Sequence, residues 1–208
     1  MRWDLFCRVI DNFGDLGVCW RLAADLGARG ETVRLWIDDP RALAWMAPRG
    51  ARGVSVIHWA EPLPPREPGE VVIEAFGCDP PPAFVARMVS AAPVPLWRNL
   101  EYLSAEAYVD DCHGLPSPQQ QGPGAGLTKW FFYPGFTPAS GGLLREADAL
   151  DVLDVAARST WLADHGVALR ADERCVSLFA YAGAPFEALF ERLDSEPTLV
   201  LLAAGAGQ

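Results

Sequence analysis

The 208-residue chain has almost no lysine: Lys129 stands alone against sixteen arginines, and 27 acidic residues leave a formal net charge of -10. Binding nucleic acid without regard to sequence needs a Lys/Arg surface that displaces counterions from phosphate. A chain this acidic excludes that class, and the shortage of lysine reads as a coding preference for arginine. Long uncharged apolar runs are also missing. The opening "MRWDLFCRVID" carries an acid at position 4, and its apolar run is too short for a signal sequence or a membrane span. No C-x-x-C pair occurs among Cys7, Cys19, Cys78, Cys112 and Cys175. Their odd number and scatter fit a reducing compartment. A soluble, cytoplasmic protein without a membrane partner is the expectation. Neither a G-x-G-x-x-G loop nor a G-x-S-x-G elbow is present, which removes the usual dinucleotide cradle and the serine-hydrolase turn.

What is there is core. Half the residues are hydrophobic and eight are Trp. "WDLFCRVI" (3–10), "TVRLWIDD" (32–39), "VSVIHWA" (54–60), "EVVIEAFGC" (70–78), "VPLWRNLEYL" (94–103) and "TKWFFYPGF" (128–136) read as strands. Apolar residues at 18, 19, 22, 23 and 26 have helical spacing, and "PPAFVARMVSAA" (81–92) reads as a helix with Pro in its first turn. Near-continuous apolar strands alternating with helices predict a doubly wound α/β domain with a parallel sheet. "GLPSPQQQGPGAG" (114–126) reads as a mobile loop. A helix is expected at 147–165, then a β-α-β unit from "RCVSLFAY" (174–181), "PFEALFERL" (185–193) and "TLVLLAAG" (198–205). The predicted organisation is a first domain over 1–165 and the start of a second over 172–208. Two strands and a helix do not bury their own apolar faces, so either they add to the first sheet or they begin a second domain, and left uncovered they are expected to fray or aggregate.

The first strand-to-helix turn is unusual. It reads "VIDNFGDLG", with Asp11 and Asp15 where a phosphate cradle would have glycine. Carboxylates repel phosphate. A carboxylate pair instead suits a cation or a proton: it can grip a guanidinium through paired hydrogen bonds, bind a metal, or act as a general base. The simpler reading makes Asp15 the cap of a helix starting near Leu16 and Asp11 a turn former. Ligands of open α/β sheets sit at the carboxyl ends of the strands, where Asp11, Asp15, Asp38, Asp39 and Asp79 all fall. The neighbouring pair Cys112-His113 lacks the separation of metal ligands. His58 reads as packed or exposed within a strand, and His165 as a helix-terminal cation.

Seven strings occur in order: "DNFGDLGVCWRLA", "VRLWIDD", "EAFGC", "WRNLEYLSAE", "CHGLPSP", "KWFFYPGF" and "GGLLRE". Together they resemble the EarP family, protein-arginine rhamnosyltransferases that modify elongation factor P. "VSLFAY" resembles the start of that family's second Rossmann-like domain. The resemblance spans Trp3 to about Tyr181. It implies a GT-B architecture, with a Rossmann-like N-terminal domain and here the truncated beginning of a second Rossmann-like domain. It also implies inverting transfer of rhamnose from the nucleotide sugar dTDP-β-L-rhamnose to one arginine of elongation factor P, with no metal or other cofactor. The N-terminal domain would receive the acceptor protein and the C-terminal domain most of the nucleotide.

The family's two essential aspartates match Asp11 and Asp15. The chemistry of a guanidinium acceptor suggests the base role for Asp15 and the positioning role for Asp11, with the reverse open. The resemblance places the loop at Asn12, Phe13 and Gly14, together with Asp15, against the rhamnose, and Tyr181 by the thymine nucleotide. Family members are considerably longer, and their catalytic glutamate and diphosphate-binding residues match no position here. The chain is therefore expected to be a truncated product. Two alternatives stand beside the enzyme: an inactive fragment that still binds elongation factor P, and an unrelated nucleotide-binding α/β protein.

Overall fold

Runs such as "WDLFC" form strands where both faces can be covered. The computed structural model of the chain describes residues 1–10, 13–147, 155–178 and 184–202. It divides into two compact units, Met1–Glu146 and Ala147–Gln208.

The first unit runs β1 (Arg2–Cys7), α1 (Gly14–Ala28), β2 (Thr32–Ile37), α2 (Leu43–Met46), β3 (Val54–His58), β4 (Val71–Ala75), α3 (Pro82–Ser90), β5 (Leu96–Leu100), α4 (Tyr108–Cys112), β6 (Pro116–Pro118) and β7 (Thr128–Phe132). The strands form one sheet in the order β3-β2-β1-β4-β5-β7-β6. Every pairing is parallel except that of β6 with β7. The expected α/β class with a parallel sheet is therefore found. The strands are shorter than their apolar runs, because the chain leaves the ladder ahead of the turns that carry Asp38 and Cys78.

Side chains alternate across each strand, and the core splits accordingly. Leu5, Cys7, Leu35, Ile37 and Ile73 join Leu16, Cys19 and Ala23 of α1 on one face. Phe6, Trp36, Val72 and Trp97 join Phe84, Val85 and Met88 of α3 on the other. From β1 the chain moves to one side through α1, and from β4 to the opposite side through α3. Right-handed crossovers in opposite directions put their helices on opposite faces. The sheet direction reverses between β1 and β4.

The segment at 114–126 differs from the mobile loop expected. It contains β6, and two backbone bonds close the turn, Gln119 N–H to Leu127 O at 2.8 Å and Gly126 N–H to Gln119 O at 2.9 Å. Pro116 and Pro118 hide this strand in the sequence, yet proline is tolerated on an edge strand, and β6 is the sheet's last.

The second unit holds α5 (Val155–Asp164), β8 (Arg174–Leu178), α6 (Phe186–Leu193) and β9 (Thr198–Leu202). β8 and β9 pair in parallel from Arg174 opposite Thr198 to Leu178 opposite Leu202. The expected β-α-β unit is present, although none of the residues of α6 is fully buried. No described helix is long and apolar enough to cross a membrane.

Two buried carboxylates on the α3 face anchor the sheet. Asp4 is fully buried. It accepts from Arg34 Nε and Nη2 at 2.6 and 2.5 Å, from Trp36 Nε1 at 2.7 Å and from the Gly69 amide at 2.7 Å. The bond to Gly69 ties the β3–β4 connection to the start of the sheet. Glu74, also fully buried, meets Lys129 Nζ at 2.5 Å and Trp97 Nε1 at 3.2 Å. The lone lysine thus has a structural duty. Burial pushes the Glu74 carboxyl above its ordinary value and outweighs the pull of Lys129.

Removing one partner of a buried ion pair strands the other. Asp4→Ala leaves the Arg34 guanidinium with only the Glu67 carbonyl, at 2.8 Å, and no carboxylate, and takes the acceptor from the Trp36 indole; it is expected to destabilise the fold by about 3–5 kcal/mol, read from the urea midpoint. For Glu74 the folded value lies above the unfolded one. Its contribution is then fully present at low pH and is lost as pH rises through the folded value. Glu74→Gln is expected to flatten that part of the stability profile, on the alkaline side of the ordinary carboxylate range, measured by urea melts at fixed salt.

Candidate functional site at the carboxyl end of the sheet

The reversal between β1 and β4 leaves a crevice at their carboxyl ends, where open α/β sheets bind ligands. Three connections meet there, following β1, β4 and β5. The first leads into α1, which begins at Gly14 with Phe13 at its cap position and no side-chain capping bond. Asp15 therefore lies inside the first turn rather than at the cap. Its acid still suits the positive end of the helix dipole, but its oxygens are used elsewhere. Oδ2 accepts from the Ile10 amide at 3.0 Å and Oδ1 from the Tyr102 hydroxyl at 2.9 Å. Asp15 is 1% exposed. A second acid steadies the same loop from outside, as Asp38 Oδ1 accepts from the Val9 amide at 2.9 Å.

The β4 connection contributes strain. Phe76 has φ +57° and Asp79 φ +48°, a region that costs a side-chain-bearing residue about 1–3 kcal/mol. Neighbours hold Phe76 in place: its amide donates to Leu100 O at 2.7 Å, and the Gly77 amide to Asn99 Oδ1 at 3.0 Å. Asn99 is buried and also donates to Glu101 Oε1 at 2.5 Å. The outcome is a shelf. The Phe76 ring lies flat on Tyr102, centroids 4.0 Å apart and planes within 6°.

Phe76 and Tyr102 also wall a cavity of about 530 Å³. Val18 and Leu22 of α1 form one side, Ile73 and Leu100 the floor, and Leu143 the far wall. The strap that carries Leu143 is fixed by a paired bond from Arg21 to Glu146, 2.5 and 2.8 Å. This bond draws the Glu146 carboxyl below its usual range. The strap packs tightly. A Cβ on Gly141 would meet the Phe132 ring at 2.5 Å, so glycine is required there.

Of the residues named from sequence, Asp15, Phe13 and Gly14 stand together at this end of the sheet. Phe13 is half-buried and edge-on to Trp45 at 5.0 Å, while Gly14 is exposed. Asp11, Asn12 and Tyr181 lie outside the described residues. Asp39 pairs with Arg41, which holds its carboxyl at about 2. The histidines have local duties. His58 Nε2 donates to Asp38 O at 3.0 Å, and His113 Nδ1 accepts from the Tyr133 amide at 3.2 Å. Among the described residues no three His, Cys, Asp or Glu side chains are grouped to hold a metal. The nearby thiols are poor nucleophiles. Burial pushes Cys78 up to about 12, and a hydrogen bond with Cys7, then burial, raises Cys19 well above its ordinary value. Tyr102, Phe76 and Asn99 were not singled out from the sequence, although all lie in quoted strings. Their only signal was a position at or beyond the carboxyl end of a strand.

Residues 3–208 match the family model described as Elongation-Factor P (EF-P) rhamnosyltransferase EarP. The chain belongs to the EarP family. It is 44% identical to a protein-arginine rhamnosyltransferase of Pseudomonas aeruginosa, over 98% of this chain and 57% of that protein. Against the protein of the same name from Pseudomonas putida the identity is 48%, over 86% of this chain and 50% of the relative. For Shewanella oneidensis it is 40%, over 91% and 52%. The chain thus spans about half the length of the curated relatives it matches. A solved structure concerned with EarP-mediated arginine glycosylation of translation elongation factor EF-P is 25% identical, over 99% of this chain and 61% of that one, with a TM-score of 0.44. The ordered strings that resembled EarP therefore identified the family correctly.

Asp15→Ala would leave the Ile10 amide and the Tyr102 hydroxyl without this acceptor. The expected loss is about 1–3 kcal/mol of stability, seen as a lower urea midpoint. Asp15→Asn keeps an acceptor oxygen and is expected to lose less.

Proposed function

We propose that this chain carries the acceptor side of a protein-arginine rhamnosyltransferase, in a Rossmann-like N-terminal domain of GT-B type followed by the beginning of a second such domain. The acceptor is an arginine side chain of elongation factor P and the donor dTDP-β-L-rhamnose. The observation that carries the reading is Asp15: a carboxylate fixed at both oxygens, at the sheet's reversal point, in a chain that belongs to the EarP family.

The chemistry explains why acids stand at this turn. A guanidinium remains protonated in water, with a pKa above about 12, so it must be oriented and must lose a proton as it attacks. In the proposed step a guanidine nitrogen attacks the anomeric carbon from the face opposite the nucleotide. The new N–C bond forms, the C–O bond to the diphosphate breaks, and dTDP leaves with the bonding pair. Attack from the opposite face inverts the anomeric centre. The nitrogen's proton passes to Asp15, acting as general base. Asp11 grips the remaining N–H groups, and its charge favours the cationic character of the reacting centre. Burial keeps water from Asp15, which strengthens its interaction with an incoming cation. Asn12, Phe13 and Gly14 face the sugar and Tyr181 the thymine ring. No metal or other cofactor takes part in this scheme.

Because the chain spans about half the length of its relatives, binding without transfer is the second reading. Both are tested by the intact mass of unmodified elongation factor P after incubation with the chain and dTDP-β-L-rhamnose. A gain of one deoxyhexose is expected, with the rate lowered about a hundredfold or more by Asp15→Asn. No gain beside a working relative, together with donor-independent binding of elongation factor P, selects the second reading. Normal turnover in both Asp11→Asn and Asp15→Asn would refute the carboxylate mechanism.

A further inference from the structure

The residue that holds Asp15 comes from far along the chain. Tyr102 lies 87 residues away, just past β5, and its hydroxyl donates to Asp15 Oδ1 at 2.9 Å. The residue is 52% exposed, so burial does not fix where the ring stands. The Phe76 ring does, stacked at 4.0 Å and 6°. Phe76 occupies the left-handed region at φ +57°, where glycine would sit without strain. The adjoining Gly77 already supplies left-handed freedom at φ +64°, so a second glycine would have made an easier turn. Residues kept in strained conformations concentrate where geometry serves function.

We infer that Tyr102 is the positioning residue for Asp15: stacked on the strained Phe76, it fixes the orientation of the carboxylate that faces the acceptor guanidine. The inference rests on the arginine-transfer reading for its functional meaning, and on geometry alone for the clamp. The clamp has two jaws, the Tyr102 hydroxyl on Oδ1 and the Ile10 amide on Oδ2. With both closed, the carboxylate plane cannot turn about its bond to Cβ. Held so, the carboxylate keeps a constant orientation, which is what proton removal from a planar guanidinium needs. Tyr102 touches neither sugar nor guanidine in this scheme and acts only through Asp15. The arrangement spans β1, β4 and β5. It therefore couples the acid's orientation to the Asn99 bonds that shape the β4 connection.

Tyr102→Phe removes one oxygen atom and keeps the ring on its shelf. Two readouts on the 208-residue chain test the inference. The first needs no substrate: exchange of the Ile10 amide, followed by NMR, is expected to quicken about tenfold as its acceptor loosens, the equivalent of about 1.4 kcal/mol. The Val33 amide, bonded to Gly53 O in the sheet, is expected to stay unchanged. The second is arginine rhamnosylation: kcat is expected to fall about ten- to a hundredfold, the loss of a hydrogen bond to a charged group, with KM for elongation factor P unchanged. Phe76→Leu, which removes the stacked ring, is expected to show both effects more weakly.

An unchanged Ile10 exchange rate in Tyr102→Phe overturns the clamp. A raised KM with unaltered kcat also overturns it, since Tyr102 would then be a binding contact. If the unaltered chain transfers no rhamnose while Ile10 still responds to Tyr102→Phe, the clamp stands and the arginine-transfer reading of this chain falls.

Discussion

The reversal of sheet direction between β1 and β4 is the constraint on which the rest depends. A parallel sheet must be covered on both faces, and right-handed crossovers leave each strand towards a face set by the direction of travel. α1 and α3 therefore lie on opposite sides, which opens a gap above the ends of β1 and β4. Into that gap the chain delivers an acid in the first turn of a helix, a strained aromatic turn and a tyrosine. Each comes from a different strand end, and the sheet register sets their spacing.

The same sheet bears a cost on its α3 face. Two carboxylates, two cations and two indole N–H groups lie against the aromatic core there, and each carboxylate is bonded to one cation and one indole. Such groups are tolerated in an apolar interior only when their hydrogen bonds are made. Asp4 also secures the helix-free connection from β3 to β4, which must pass beneath the sheet to begin β4 beside β1. The acid that reads as an oddity in an apolar strand is thus the fastening point for the reversal. The lone lysine, read from composition as an accident of coding, pairs with Glu74 beside the Trp97 ring.

The strands β1 to β5 and β7 and the helices α1 and α3 were legible from their local apolar runs, whereas α2 and α4 are too short to show a period. β6 was not legible, since Pro116 and Pro118 argue against a strand unless its place at the sheet edge is known. The start of α1 was set two residues late, because Gly14 and Asp15 look like a turn and a cap when the bonds to Ile10 and Tyr102 are out of sight. The family was legible from ordered strings, which need no three-dimensional information.

The sequence by itself determined the α/β class, the parallel sheet, the acids at the first strand-to-helix turn and membership of the EarP family. All of these rest on neighbours in the chain, or on the order of short strings along it. Only the tertiary structure decided what holds Asp15. Tyr102 reaches it across 87 residues, and Phe76 supports Tyr102 from a third strand end. The partners of a buried carboxylate are fixed by which strands lie side by side, and that adjacency depends on strand order and register, which no local pattern of residues encodes.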